Sequence, residues 1–390
     1  MREFHRSRTA MIVATLVLVS GLGLTSAVGP AGASDSLTWS TADNPTDAFI
    51  AGFPPQDGAS FAQDTDAFLK SVSCVSSAFC VAIGSSGYGP TLTEIWDGTR
   101  WWVAPRSSVV GGATLNAVSC TTTTFCLVVG SFDGKPLTQT WDGRRWATYA
   151  SGNTVPDGTL SGVSCVGPTD CVAVGHTAGS PQRTLVESWN GATWSIVASP
   201  NAGSSDSLSS VSCLQPGPRN FCVAVGGYLD SSSHVQPLIE TWNGSTWTLT
   251  PSPHLAQDGG LGGVSCWSRT FCMAVGSTSF SSLAETWNGT RWSIVASPTG
   301  DIDYPILDFV GVSCAGINFC AAAMQANGPS AGAASARVET WNGTDWTANP
   351  GSDMYGAMSA ISCASNGKFC SAVGGSSYFP IGTVALMGQK

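Results

Sequence analysis

The chain has 390 residues, of which 43% are hydrophobic and only 11% charged, with 16 basic against 25 acidic residues and a formal net charge of −9. So acidic a balance argues against nucleic acid as a partner. The 14 cysteines lie beyond residue 33, an even count that points to an oxidised framework rather than to metal sites.

Residues 1–33 read as an export signal. Arg2, Arg6 and Arg8 form a basic start, Ala10 to Leu24 an apolar stretch, and Ala31-Gly32-Ala33 a small-residue cleavage site. No cysteine follows to accept a lipid and no second long apolar run occurs, so an extracellular, freely secreted product with no membrane span is expected. An uncleaved anchor is the alternative, although 15 apolar residues are short for a span. Residues 34–390 are expected to form one domain.

The segment 36–41 contains Thr38-Trp39-Ser40, which repeats the Thr193-Trp194-Ser195 of a later unit and reads as a detached outer strand. Residues 42–69 form a long connection carrying Phe49, Phe53, Phe61 and Phe68, expected to fold over a rim or channel mouth.

Seven cysteine pairs then follow at intervals of 45 to 53 residues: Cys74/Cys80, Cys120/Cys126, Cys165/Cys171, Cys213/Cys222, Cys266/Cys272, Cys314/Cys320 and Cys363/Cys370. Each opens a unit of the form V-S-C, five to eight residues, C-x-A-V-G, then E-T-W-N-G-x-x-W. Self-similarity at this period is the signature of a propeller, whose blades bury their faces only by stacking. Each pair is expected to form a disulfide within its blade, contributing about 2 kcal/mol through the short loop it closes. Zinc would need four converging ligands, and each unit offers two thiols and no repeated histidine.

In the third unit, Gly162 to Cys165 and Cys171 to Gly175 read as two strands, and Thr184 to Trp189 and Thr193 to Val197 as two more joined at Asn190-Gly191. A two-residue turn there places Trp189 opposite Ala192 and Glu187 opposite Trp194. The tryptophan pairs Trp96/Trp101, Trp141/Trp146, Trp189/Trp194, Trp242/Trp247, Trp287/Trp292 and Trp341/Trp346 are expected to wedge between neighbouring blades, each ring grossly worth about 4 to 6 kcal/mol. The seventh unit lacks its last strand and carries Met387 in the first tryptophan slot. Pairing residues 36–41 with it closes seven four-stranded antiparallel blades into a ring and removes the exposed sheet edges.

The strand Val223 to Gly227 with its terminal double glycine, followed by Glu240 to Trp247, resembles kelch-type propellers. The resemblance covers most of residues 36–390, but only the fourth and seventh units keep the double glycine. A weaker similarity to the Asp-box of sialidase-like propellers fails on spacing, because no residue separates Asp or Asn from Gly here. Neither resemblance implies a function.

Glu94, Glu187, Glu240, Glu285 and Glu339, with Gln139 filling the sixth slot, share one repeat position two residues before a tryptophan. A group repeated in every blade and replaceable by an amide reads as a structural hydrogen-bond partner rather than a catalyst. Asn243, Asn288 and Asn342 match glycosylation sequons but read as turn residues, since Asp97 and Asp142 occupy the same slot. There is no P-loop, G-x-S-x-G, H-E-x-x-H or dinucleotide fingerprint, so neither cofactor nor metal is expected.

Up-and-down connectivity sends the loops between second and third strands, and those linking one blade to the next, to a common rim. His176, His234 and His254 are expected on that rim, in one sector. Tyr88, Tyr228 and Tyr378 fall in loops of the first kind, and Tyr149, Tyr304 and Tyr355 after fourth strands. Asp301 and Asp303 join them, and Trp267 faces the opposite rim. Tyrosine beside carboxylates on a rigid surface suits sugar hydroxyls or a peptide. Three readings follow. The favoured one is a monomeric, secreted binding or scaffold protein that holds a polysaccharide or protein partner on this rim. The alternatives are a glycan hydrolase or lyase using rim aspartates, with Asp301, Asp303 and Asp353 as the pair's source, and a purely structural ring.

Overall fold

Each repeat alternates large and small side chains along its strands, and that pattern can bury both faces of a blade only if every blade has neighbours. The computed structural model describes residues 37–42, 67–85, 91–104, 112–150, 157–214, 221–297, 307–326, 335–349, 352, 354–376 and 382–389; the expected export signal, most of the phenylalanine-bearing connection, Tyr88, Asp301, Asp303, Tyr304, Asp353 and Tyr378 lie outside the described residues. All regular structure among the described residues is β-strand, arranged as seven antiparallel blades of four strands. Blade three is representative: Gly158–Gly167 lies innermost, then Asp170–Thr177, Thr184–Trp189 and Trp194–Ile196. The inner strands follow one another around the axis, and that of blade seven, Ala357–Cys363, lies beside that of blade one, Phe68–Ser76. Blade six carries a further short strand, Met354–Tyr355, paired with the start of Ser335–Trp341.

The ring closes with a strand from the other end of the chain. Thr38–Thr41 pairs antiparallel with Gly382–Gln389, with Trp39 opposite Gly388 and Thr41 opposite Leu386. The register corrects one expectation: Gly388, not Met387, stands opposite Cys370 in the first tryptophan slot of blade seven. A side chain at Gly388 would run into the Trp39 indole, so the borrowed tryptophan lies over the place its missing partner would take.

The hairpins carrying the tryptophan pairs also differ from the expected two-residue turn. Trp189 pairs directly with Trp194 and Glu187 with Ile196, which leaves a four-residue loop, Asn190 to Thr193. The Asn190 Oδ1 accepts the backbone N–H groups of Ala192 (2.9 Å) and Thr193 (2.8 Å), while only Gly191 takes positive φ. The asparagine thus works as a side-chain cap instead of a left-handed turn residue. Asp97, Asp142, Asn243, Asn288 and Asn342 cap their loops identically, so the sequon asparagines have a turn function of their own. The slip is by two residues, so glutamate and both tryptophans still share one face.

That face always meets the preceding blade. Trp189 and Trp194, with ring centroids 5.5 Å apart, pack with Leu127 and Val129 of blade two, while Val172, Val174 and Val186 on the opposite face receive Trp247 of blade four. Trp96 and Trp101 close onto Phe369 and Val373 of blade seven, and Trp39 with Leu37 rests against Ala321, Ala323 and Val338 of blade six. Seven interfaces of one design therefore run round the ring.

Nearer the axis, a polar girdle joins the blades. The serine of each V-S-C (I-S-C in blade seven) accepts a hydrogen bond from the cysteine N–H of the following blade: Cys120 N to Ser73 Oγ at 2.9 Å, Cys165 to Ser119 at 3.0 Å, Cys213 to Ser164 at 3.0 Å, and onward until Cys74 N reaches Ser362 Oγ at 3.0 Å. An innermost strand has a sheet neighbour on one side only, so alternate N–H groups lack a ladder partner, and the serine hydroxyl supplies it.

Every expected disulfide is formed within its own blade: Cys74–Cys80, Cys120–Cys126, Cys165–Cys171, Cys213–Cys222, Cys266–Cys272, Cys314–Cys320 and Cys363–Cys370. Each bridge joins two residues directly opposite one another on the first and second strands, and no cysteine is left free. The second member of every pair is sealed in the core: Cys80, Cys126, Cys171, Cys222, Cys272, Cys320 and Cys370 are all 0% exposed. Each faces the tryptophan slot on the third strand, as Cys80 faces Trp96 and Cys222 faces Trp242, so the sulfur is covered by the same wedge that joins the blades. These cysteines are therefore packing residues of the blade interfaces and contribute nothing to an accessible surface. Seven disulfides fit an oxidising compartment.

Trp39→Ala empties the last interface and is expected to cost about 3 kcal/mol or more, read as a lower urea midpoint of the oxidised protein. A loss under about 1 kcal/mol would show that the closing strand contributes little.

Candidate functional site

Up-and-down blades place the cysteine loops and the Trp–Trp loops on one rim. The second-to-third-strand loops and the blade-to-blade connections lie on the other. On that second rim the segments at blades three to five are tied to one another. Asp258 accepts the Val235 N–H on Oδ1 (2.9 Å) and the Ser279 N–H on its backbone oxygen (2.9 Å), so the connection into blade five holds a loop of blade four and a loop of blade five together. Asp206, buried, accepts the N–H groups of Ala202 (2.7 Å) and Gly203 (2.9 Å) and lies 3.4 Å from Arg183 Nη1. These carboxylates are committed to loop structure.

Between blades four and five this rim holds a groove of about 320 Å³, lined by Gly226, Gly227, Val235, Gly260, Ser277 and Phe309 and reaching the axial channel at Ser209 and Gly262. Its walls are largely backbone. A Cβ on Gly260 would meet nothing nearer than 3.8 Å, so packing does not demand glycine there and its absent side chain leaves the groove open. By contrast, a Cβ on Gly276, the glycine closing C-x-A-V-G, would collide with the Gly260 carbonyl, which makes that repeated glycine a packing requirement. Blade six departs from the rule with a buried Met324 opposite Phe309. On the same rim as the groove, Phe280 is 71% exposed and Val235 37% exposed.

Of the three histidines expected in one sector, two are brought to a common partner. His234 and His254 are both exposed and both act on Asp230, whose carboxyl is held below the ordinary range first by the His234 backbone N–H and also by the charge of the two imidazoles. His176 instead lies within the second strand of blade three, opposite Thr159, half-buried, and burial lowers its pKa. Among the described residues no three His, Cys, Asp or Glu side chains converge as metal ligands. Tyr228 is also in a strand rather than a loop: it pairs with Asp206 and packs partly buried against the blade three and four core. Tyr355 is in the extra strand of blade six, and Tyr149 lies inside the outer strand of blade two, its ring edge-on to Trp189 at 5.2 Å. The two aromatic rings meet across a blade interface, so Tyr149 is a packing residue with an exposed edge. Trp267 is displaced from the ladder by a bulge between Cys266 and Ser268 and is 45% exposed, on the rim away from the groove.

The repeated glutamates occupy the blade interfaces, fully buried beside the tryptophans. Burial pushes the carboxyls of Glu187, Glu240 and Glu285 up to about 7. Ser199 donates to Glu240 Oε2 at 2.7 Å, and Ser252 donates to Glu285 Oε1 at 2.8 Å. Both serines come from the connection entering that blade, so the slot fastens incoming chain to blade face. Burial also raises the Glu339 pKa, opposed by Arg337 at 2.7 Å. Distributed singly over five of the seven blades and sealed from solvent, these carboxyls do not form a catalytic pair.

No family model matches the chain, and no curated protein sequence does. Solved structures share its fold. YCF48 bound to D1 peptide superposes with a TM-score of 0.57 at 14% identity, covering 90% of this chain and 97% of that one. YCF48 from Cyanidioschyzon merolae gives 0.56 at 16% identity, with 90% and 98% covered. The WD40 repeats of RRP9 give 0.58 at 12% identity, with 92% and 98% covered. Likeness at this identity shows the propeller fold and does not single out the kelch type.

The raised glutamate pKa values set a pH dependence with a definite sign. From the ordinary 4.5 up to about 7 the folded chain binds more protons than the unfolded chain. Stability from these groups is therefore full below 4.5 and lost as pH climbs through about 7. Glu187→Gln is expected to stabilise the protein at about pH 8, on the order of 2 kcal/mol, and to change little at about pH 4.5, as measured by urea denaturation at both values. Equal effects at the two pH values would contradict a neutral buried carboxyl.

Proposed function

We propose that this protein is a secreted, non-enzymatic binding or scaffold protein of kelch-like build, which recognises a polysaccharide or protein partner in the rim groove between blades four and five. The observation that carries the reading is the groove itself, kept open by a glycine that packing does not require and bordered by loops tied together through Asp258. A surface ordered in advance loses little conformational entropy when a ligand settles on it. Glycine walls expose backbone donors and acceptors to hydroxyl or amide groups, and Val235 adds an apolar contact. Phe280, exposed on the same rim, supplies an aromatic face for a sugar ring or an apolar side chain. YCF48, which shares the fold, has been described bound to D1 peptide.

Export follows from the basic start, apolar stretch and Ala31-Gly32-Ala33 of the first 33 residues, and the seven disulfides agree with that destination.

The test is direct binding of the oxidised protein to a glycan array and to an extended-peptide library. Gly260→Leu places a side chain in the groove at a position where a Cβ meets nothing nearer than 3.8 Å, and it is expected to weaken the captured ligand by about 10-fold or more while leaving thermal stability unchanged. An absence of ligands from both sets, or full affinity in Gly260→Leu, would reject the groove as the binding surface.

A further inference from the structure

The axial channel is chemically lopsided in a way that the repeat does not explain. Every inner strand bulges ahead of its V-S-C, and the extra residue turns toward the axis; in blade three it is Ser161, between the pairs Leu160–Gly175 and Gly162–Val174. These bulge residues form a collar lining a cavity of about 170 Å³. The residues just below them are small for a steric reason. A Cβ on Gly162 would lie 2.9 Å from the Ser210 Cα, and one on Gly263 would lie 3.3 Å from the Gly311 Cα, because adjacent inner strands crowd together there. The collar is under less constraint, since a Cβ on Gly262 would have nothing within 4 Å.

Seven equivalent positions would admit seven equivalent residues, yet five consecutive blades, from seven through four, present Ser359, Lys70, Asn116, Ser161 and Ser209. Blades five and six present Gly262 and Val310. Lys70 is the one charged side chain among the residues lining the cavity. Its Nζ donates to Asn116 Oδ1 at 3.2 Å, and the Asn116 amide is oriented by donating through Nδ2 to the Leu160 carbonyl at 2.8 Å. An ammonium has three N–H donors, so this one is steered by a fixed acceptor and retains donors for a ligand.

We propose that the channel collar is a binding site for a small monocarboxylic acid. One cation balances one negative charge, whereas a dianion would leave a charge uncompensated inside a narrow channel of an acidic protein. One carboxylate oxygen meets Lys70 and the other the serine hydroxyls of the polar arc, while the body of the acid lies toward Val310 and Gly262. About 170 Å³ is the share of some five or six water molecules, room for a short acid and not for a folded segment. The site is separate from the rim groove, and the proposal does not depend on what that groove binds.

The experiment is NMR titration of the oxidised protein with sodium lactate and, as the uncharged control, lactamide, following the Asn116 side-chain amide. Lactate is expected to shift that resonance saturably and lactamide to leave it unmoved. Lys70→Gln should weaken lactate by about 10-fold or more, Lys70→Arg should retain it, and Phe280→Ala on the rim should leave it unchanged. Lactate binding that persists undiminished in Lys70→Gln overturns the proposal, as does an unmoved Asn116 amide in the unaltered protein. The second of these decides the matter even should Lys70→Gln fail to fold. Binding confined to peptides ending in a free carboxylate, with no response to lactate, also overturns it and assigns the collar to a chain terminus.

Discussion

The bond between a serine hydroxyl and the cysteine amide of the next blade holds the rest of the structure in register. An inner strand next to an axis has an exposed edge, and a buried amide left without an acceptor there would cost about 1–3 kcal/mol. Repeating one serine in front of one cysteine answers that need at every interface and converts a row of blades into a ring. The same tripeptide serves two further purposes, since its valine packs in the blade core and its cysteine is bridged to the second strand. The tryptophan wedges work from the circumference as the serine bonds work from the axis, so each interface is fixed at both ends.

Such economy leaves little chemistry free for anything else. The repeated glutamates, glycines, asparagines, cysteines and tryptophans are all consumed by folding, and the carboxylates Asp206 and Asp258 are consumed by the rim loops. What differs between blades is therefore where function has room to reside: the loops of one rim and the bulge residues of the collar. Both features break a symmetry that folding alone would preserve. The groove breaks it with glycine at a position with space for a side chain, and the collar with a single cation in an arc of hydroxyls.

The architecture was legible in the sequence because a propeller writes its period into the chain: paired cysteines, paired tryptophans and a displaced Thr38-Trp39-Ser40 were enough for blade count and closure. Two details of register were not. The Asn190-Gly191 dipeptide resembles a two-residue turn, yet the asparagine oxygen caps a four-residue loop, and a dipeptide signal does not tell those outcomes apart. Gly388 was hidden because the eye seeks a large residue in a tryptophan slot, whereas the slot is filled across the strand by Trp39. The site was less legible still. Tyr228 reads as a loop residue because the second strand of blade four runs beyond the repeat core, and the extra ladder pairs draw its side chain into partial burial. The girdle serines and the collar lysine were missed although their signals were present: an unvarying serine before every first cysteine, and a lysine four residues before Cys74 where other units carry neutral residues.

The closed girdle is tested most directly by native-state hydrogen exchange at the amides of Cys74, Cys120, Cys165, Cys213, Cys266, Cys314 and Cys363. A ring joined at every interface predicts that all seven are protected to a common level set by global unfolding, with Cys74, which reaches across the chain ends to Ser362, no faster than the others. Rapid exchange at Cys74, with protection at the remaining six, would contradict the account and describe an open stack of blades.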